Sequence, residues 1–225
     1  MATGWKGRLH LRLPVISPSS ARRSPMQDLL SLIRSRRSIR RFEQRPIARE
    51  TLLDLIDVAR YAPSAANQQP VEYVIADEPN RRARLFDLLA WAAHVRPRRT
   101  PDPEHRPVAY IVVLRCTARE LGALGPVDAA AAIQTILLAA WSLGIGSCWI
   151  GSVDRPRARV LLGVPTSHEI DSVVALGYPA EQPVAENARH EDTAYYLDPA
   201  DVLHVPKRPL QSLLHVNGFT TPSGR

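Results

Sequence analysis

The sequence predicts a single α+β domain, and three observations carry that prediction. From Met26 onward, stretches with helical periodicity alternate with short apolar runs that read as strands. One helix is long and hydrophobic nearly all round, which places it in a core or a subunit interface. No internal repeat occurs, and the glycines of "GIGSCWIG" lack the G-x-G-x-x-G spacing, which argues against a Rossmann nucleotide fold. At 225 residues, 45% hydrophobic and 23% charged, the chain suits one soluble domain with a sizeable core.

The first helix is "MQDLLSLIRSR", with Leu29, Leu30, Leu32 and Ile33 on one face. "RETLLDLIDVARYA" follows the same rule with Leu52, Leu53, Ile56 and Ala59, until Pro63 stops it. A polar loop, "PSAANQQP", leads into the strand "VEYVIA", where Val71, Tyr73 and Ile75 alternate with Glu72 and Val74. A third helix is expected from about Asn80 to Ala93, then a Pro- and Arg-rich segment, "HVRPRRTPDPEHRP". "VAYIVVLR" is nearly continuous in apolar residues and predicts a central strand. In the long helix "VDAAAAIQTILLAAWSLG", Gln134, Thr135 and the glycines that follow mark a buried helix rather than a membrane span. A strand at "SCWIGSV", a short helix at "RPRARVLLG" and a strand at "IDSVVALGYP" follow. The closing "HVPKRPLQSLLHVNGF" reads as two prolines, two adjacent cations and a short apolar turn.

The formal charge of +7 suggests a polyanion partner until it is located. Lys6, Arg8, Arg12, Arg22 and Arg23 precede the first acid, Asp28, and without them 24 basic groups face 22 acidic ones. The body is nearly balanced. Residues 1–25 are read as a disordered or dispensable basic extension, with an organelle transit peptide as the second reading, and residues 26–225 as the folded domain. Their short apolar stretches, broken by arginines, lack the apolar core of a secretory signal. Two distant cysteines, Cys116 and Cys148, outside any CxxC pattern, argue against a disulfide framework or a zinc site and fit a reducing cytoplasm. A nucleic-acid binder needs aromatics interleaved with its cations, and aromatics total only 6%. Neither nucleic acid nor membrane is expected as a partner.

No HExxH, GxSxG or P-loop pattern is present, and the seven histidines have no metal-ligand spacing. An enzyme built this way takes its reactive centre from a cofactor. "SRRSIRRFE" puts Arg36, Arg37, Arg40 and Arg41 around Ser38. Such cations near a helix C-terminus are ordinarily a solvated face, each worth about 0.3–1 kcal/mol. Guanidinium forks converging with a hydroxyl also suit a phosphate dianion, and Lys207 and Arg208 offer a second basic pair. "APSAANQQP" is by default a polar loop, but Asn67 and Gln69 carry amides that suit a heterocycle with alternating donors and acceptors. In "WIGSV", Gly151 permits close approach of a flat ring.

Read in order, "RRSIRRF", "APSAANQQP", "LLAAWSLGIGSCWIGSV", "ALGYPAEQPV" and "HVPKRPLQSLLHVN" resemble the FMN-dependent nitroreductase family over about residues 26–219. The resemblance implies a mixed central sheet flanked by helices, in an intertwined homodimer with FMN at the interface. It implies that Arg36, Arg37, Ser38 and Arg40 hold the phosphate and ribityl end, joined by Lys207 or Arg208. Ser64, Ala65, Asn67 and Gln69 would line the cofactor from the other subunit, and the Ile150–Gly151 backbone would face its reactive edge. Arg41 has no implied role beyond a solvated charge. The family often has Trp after "QP", and Val71 stands there instead.

The activity so implied is an NAD(P)H oxidoreductase with two half-reactions. NADH or NADPH reduces FMN, and a nitroaromatic, quinone or related electron-poor small molecule reoxidises it, with no catalytic side chain required. The alternative keeps the fold and makes the protein a flavin-dependent dehydrogenase or reductive dehalogenase acting on a specific metabolite. Residues 91–106, with Trp91, His94, Arg96, Arg98, Arg99 and His105, are then the segment over the substrate, or else a solvated loop. A flavin-storage protein without turnover is the non-enzymatic reading.

Overall fold

The computed structural model describes residues 25–92, 100–189 and 192–219. The 1–25 extension, Pro25 apart, lies outside them. The chain runs α1 (Pro25–Ser35), β1 (Phe42–Glu43), α2 (Arg49–Ala59), β2 (Val71–Ala76), α3 (Pro79–Phe86), β3 (Ala109–Cys116), α4 (Gly125–Ser142), β4 (Gly146–Ile150), α5 (Arg155–Leu162) and β5 (His168–Pro179). A small sheet closes it: β6 (Val184–Asn187), β7 (Tyr196–Leu197) and β8 (Leu203–Lys207).

The central sheet has the order β1-β5-β3-β2, with β4 also pairing β5. Among the described residues all its ladders are antiparallel, and its parallel component is the single bridge between Ser38 and Ser147. The run "VAYIVVLR" is apolar throughout because β3 is covered on both faces. Tyr110, Val112 and Leu114 meet Ile39, Phe42, Leu85 and Ala158 on one side. Ile111 and Val113 meet Leu52, Leu55, Ile133 and Ile136 of α2 and α4 on the other.

By length and composition α4 could cross a membrane. It buries Ala129, Ala132, Ile133, Ile136, Leu137 and Ala140 in the core, as its sequence predicts.

Several local expectations change. The inward face of α2 is Leu52, Leu55 and Ala59, while Leu53 is exposed, because only one i, i+3, i+7 stripe can face the sheet. The third helix stops at Phe86 rather than Ala93. Beyond it the chain peels away, with Ala90 N–H donating to Ser152 O at 3.0 Å and Leu89 bridging Val153. Trp91, assigned by sequence to the substrate cover, is buried and packs on Phe86, ring centroids 5.6 Å apart. Its neighbours His94, Arg96, Arg98 and Arg99 lie outside the described residues. On α1 the leucine stripe is largely uncovered, with Leu29 54% exposed and Leu30 and Ile33 close behind.

Candidate functional site

Two glycines let "SRRSIRRF" dock onto the sheet. A Cβ on Gly146 would fall 2.8 Å from Ile39 Cγ1, and one on Gly177 would fall 2.8 Å from Phe42 Cβ. Ile39 and Phe42 fill those places and are fully buried. Ile39 N–H donates to Ser147 O at 2.9 Å, and Trp141 Nε1 donates to Ser35 Oγ at 2.9 Å. The segment is thereby fixed against β4 and the last turn of α4.

With Ile39 inward, Arg36, Arg37, Ser38 and Arg40 are left half-buried around it. Arg36 is held below the ordinary arginine range by burial first and by Arg37 second, and Arg37 by burial. Lys207, at the end of β8, is pushed down by burial and then by Arg37 and Arg36. The structure thus gathers three cations, all opposed by burial, in which Arg37 lowers Arg36 and both arginines lower Lys207. Arg37 Nε is buried without a hydrogen-bond partner among the described residues, while its Nη1 donates to Arg36 O. Arg40 sits over the Tyr195 ring, 5.3 Å from its centroid. Lys207 lies within the fields of Arg37 and Arg36, whereas Arg208 donates to Ser212 O at 3.0 Å.

Arg41 is not the solvated charge expected of it. Its guanidinium reaches Asp201 Oδ2 and His105 Nδ1, both at 3.2 Å, and Asp102 Oδ2 at 3.6 Å. Arg41 ties the 102–105 turn to the turn before β8. Glu181, absent from the sequence reading, accepts from the backbone N–H groups of Arg40 and Arg41 through Oε1 and fixes the chain path between those side chains. Cys148 lies within the fields of Arg40, Glu181 and Arg36, and burial pushes its thiol up.

Ser64, Ala65, Asn67 and Gln69 form a separate group. Their loop is a short 3-10 turn in which Ala66, Asn67 and Gln69 adopt positive φ. Buried Asp128, in the first turn of α4, accepts from Ala65 N–H at 2.9 Å, and Ser64 Oγ accepts from Gln69 N–H at 3.0 Å. Asp128 went unrecognised in the sequence, where its signal is one acid inside an otherwise apolar helix. Behind the loop lies a cavity of about 160 Å³ lined by Ser64, Gln69, Val71, Tyr73 and Asp128. Burial there pushes the Tyr73 phenol up to about 12. Ile150, the last residue of β4, is buried, and Gly151 just beyond it is exposed, with nothing within 4 Å of where its Cβ would be.

One chain does not unite these groups. Asp128 holds the 64–69 loop at one end of α4, and Trp141 holds the arginine segment at the other. Thirteen residues of helix put about 20 Å between them.

The family model described as "Nitroreductase family" matches residues 33–178, from the arginine segment to the end of β5. The chain belongs to the nitroreductase family. A 4-nitrobenzoate reductase of Nocardioides sp. (strain LMS-CY) is 30% identical over 209 residues, covering 70% of this chain and 83% of the relative. An NADPH-flavin oxidoreductase of Vibrio harveyi is 29% identical over 166 residues, covering 70% and 68%. Among solved structures, the NADPH:FMN oxidoreductase from Vibrio harveyi complexed with NAD+ shares the nitroreductase fold, with a TM-score of 0.64 at 22% identity over 86% of this chain and 79% of that one.

In this nitroreductase-family chain, β8 is also the centre of a titratable group. His204 Nδ1 lies 3.0 Å from Glu186 Oε2 and its Nε2 lies 3.3 Å from Asp198 Oδ2, with the Tyr196 ring stacked on it. The Glu186 contact is the main cause that raises His204 above its ordinary value. The carboxylates are lowered, Glu186 chiefly by His204 and Asp198 chiefly by Val202 N–H. A raised histidine stabilises below its unfolded value and loses that effect as pH rises through its folded value. The lowered acids stabilise above their unfolded values and lose the effect as pH falls. The small sheet is therefore firmest between the two limits, at about pH 5–6. Amide exchange across Leu203–Lys207, corrected for intrinsic rates, will show less protection at about pH 8 than at about pH 5.5, and His204→Gln will abolish the difference.

Proposed function

We propose that the chain is an FMN-dependent NAD(P)H oxidoreductase reducing nitroaromatic, quinone or related electron-poor acceptors as a homodimer. The gathering of Arg36, Arg37 and Lys207 carries the reading. Burial opposes all three charges, Arg37 further opposes Arg36, both arginines oppose Lys207, and Arg37 Nε has no hydrogen-bond partner among the described residues. A folded chain tolerates such a cluster where an anion neutralises it. Planar forks beside the Ser38 hydroxyl suit the dianionic end of FMN. The donor set fits the group.

When bound, FMN would supply hydride and electron transfer between NAD(P)H and the acceptor. Arg36, Arg37, Ser38, Arg40 and Lys207 would anchor its phosphate and ribityl end. Ser64, Ala65, Asn67 and Gln69 offer the amides and hydroxyl that read a heterocycle edge. The open face of Gly151 gives a ring system room beside the β4 backbone. The donor and acceptor classes are those in the names of the relatives, an NADPH-flavin oxidoreductase and a 4-nitrobenzoate reductase.

A second copy supplies what one chain keeps apart. A two-fold arrangement sets the 64–69 loop of one protomer against the arginine segment of its partner. It also covers the exposed apolar residues of α1 and of the C-terminal segment, where Leu213, Leu214 and Phe219 face outward.

The purified full chain will show flavin absorption near one FMN per chain, bleached by NADH or NADPH without oxygen and restored by a nitroaromatic or quinone. A colourless protein that FMN cannot reconstitute overturns the reading.

A further inference from the structure

Glu72, Cys116 and His168 stand on three neighbouring strands, β2, β3 and β5, and share one face of the sheet. The pairing register explains this. His168 is opposite Cys116 and Glu72 is opposite Leu114, which lies two residues from Cys116 and so on the same face. One donor atom from each side chain, a carboxylate oxygen, a sulfur and a ring nitrogen, lies within 4.8 Å of the other two.

The histidine is already set as a ligand. Its Nε2 is buried and lies 3.1 Å from Glu72 Oε2, an ion-pair contact without hydrogen-bond geometry, and it has no hydrogen-bond partner among the described residues. Its Nδ1 is 3.0 Å from Ser167 Oγ, the kind of outer contact that fixes the ring of a metal-bound histidine. Cys116 is free and partly exposed. An ion pair between Glu72 and His168 beside a small residue is the plain alternative. It does not account for the thiol meeting the same point.

We propose that Glu72, Cys116 and His168 bind a divalent transition metal, Zn²⁺ foremost, with water in the fourth position. Thiolate, imidazole and carboxylate together suit zinc, whereas magnesium and calcium take oxygen ligands. Zinc bonds of about 2.0–2.3 Å give tetrahedral edges of about 3.3–3.8 Å. The Glu72–His168 approach is already near that edge, and the exposed Glu72 side chain is free to adjust. On binding, the Cys116 sulfur gives its proton to solvent and takes the metal in its place. Thiolate and carboxylate then balance the charge of the ion. The metal is a staple: Glu72 follows Gln69 by three residues, and Cys116 N–H donates to Pro70 O at 2.8 Å, so the ion ties the exit of the 64–70 loop to β3 and β5. This site contradicts the reading of the cysteine spacing alone, and it is independent of whether FMN binds.

The test uses the tag-free full chain as purified, stripped of metal by a chelator. Zn²⁺ is titrated against a chromophoric chelator, and Co²⁺ is added as a spectroscopic probe read in the red, beyond flavin absorption. One tight Zn²⁺ per chain and the strong red bands of tetrahedral cobalt are expected. Cys116→Ser, His168→Gln and Glu72→Gln each weaken Zn²⁺ by more than the roughly 10- to 100-fold cost of losing an outer-sphere contact. Cys148→Ser leaves the cobalt bands in place. Glu72→Gln changes an exposed side chain without altering its shape, so its fold, checked by circular dichroism, remains native. No stoichiometric Zn²⁺, a weak octahedral cobalt spectrum, unchanged affinity in Glu72→Gln, or bands lost with Cys148 instead of Cys116 overturns the proposal.

Discussion

Arg36→Ala and Lys207→Ala will each weaken FMN binding by about 10- to 100-fold while leaving the flavin-free protein as stable as before, or more so. Opposite signs of this kind distinguish an anion site from a structural cluster. A charge-assisted hydrogen bond to phosphate is worth about 1.5–3 kcal/mol, which sets the loss of affinity. Without the phosphate, removing Arg36 relieves Lys207, and removing Lys207 takes away a charge that burial and both arginines already oppose. Arg41→Ala behaves the other way. It gives up contacts to Asp201, His105 and Asp102, so it loosens the protein and affects flavin affinity far less. Flavin fluorescence titrations with thermal unfolding of the flavin-free forms measure both quantities. Equal flavin retention in the Arg36, Lys207 and Arg41 variants would show that the phosphate site is elsewhere.

Ile39→Ala will destabilise the fold by about 2–5 kcal/mol, the range for deleting a fully buried aliphatic side chain. In a domain of this size that is a fall in Tm of about 4–20 °C. The site cannot collapse easily, because Gly146 supplies no side chain to enter the void. The same residue holds Arg36, Ser38 and Arg40 in place, so flavin affinity falls with it. A melting temperature within a degree or two of the parent would mean that the arginine segment is not anchored through Ile39.

The α+β class and the main elements were legible because burial leaves a period. The runs "VAYIVVLR" and "AAAAIQTILLAAW" became β3 and α4, the strand and helix that they predict. The small C-terminal sheet was illegible. Pro206, which has no N–H to give a ladder, sits inside β8 and opposite Glu186, and the sequence signal reads as a turn. Arg36, Arg37, Ser38 and Arg40 were expected as one group with Lys207 or Arg208; Arg36 and Arg37 act on Lys207, while Arg208 turns to Ser212. Arg41 was misjudged because its partners, Asp102, His105 and Asp201, are distant in sequence and no local pattern announces them. Asp128 and Glu181 were missed for the same reason: each acts on a backbone N–H that folding alone brings near.

The distance that α4 sets between the loop it holds at Asp128 and the segment it holds at Trp141 has a consequence for inheritance. If each cofactor site takes one half from each chain, a site is the property of a pairing and not of a polypeptide. An assembly of one chain damaged near Arg36 and another damaged near Asp128 contains one site with both lesions and one with none. Two defective alleles then complement each other, while two copies of either cannot.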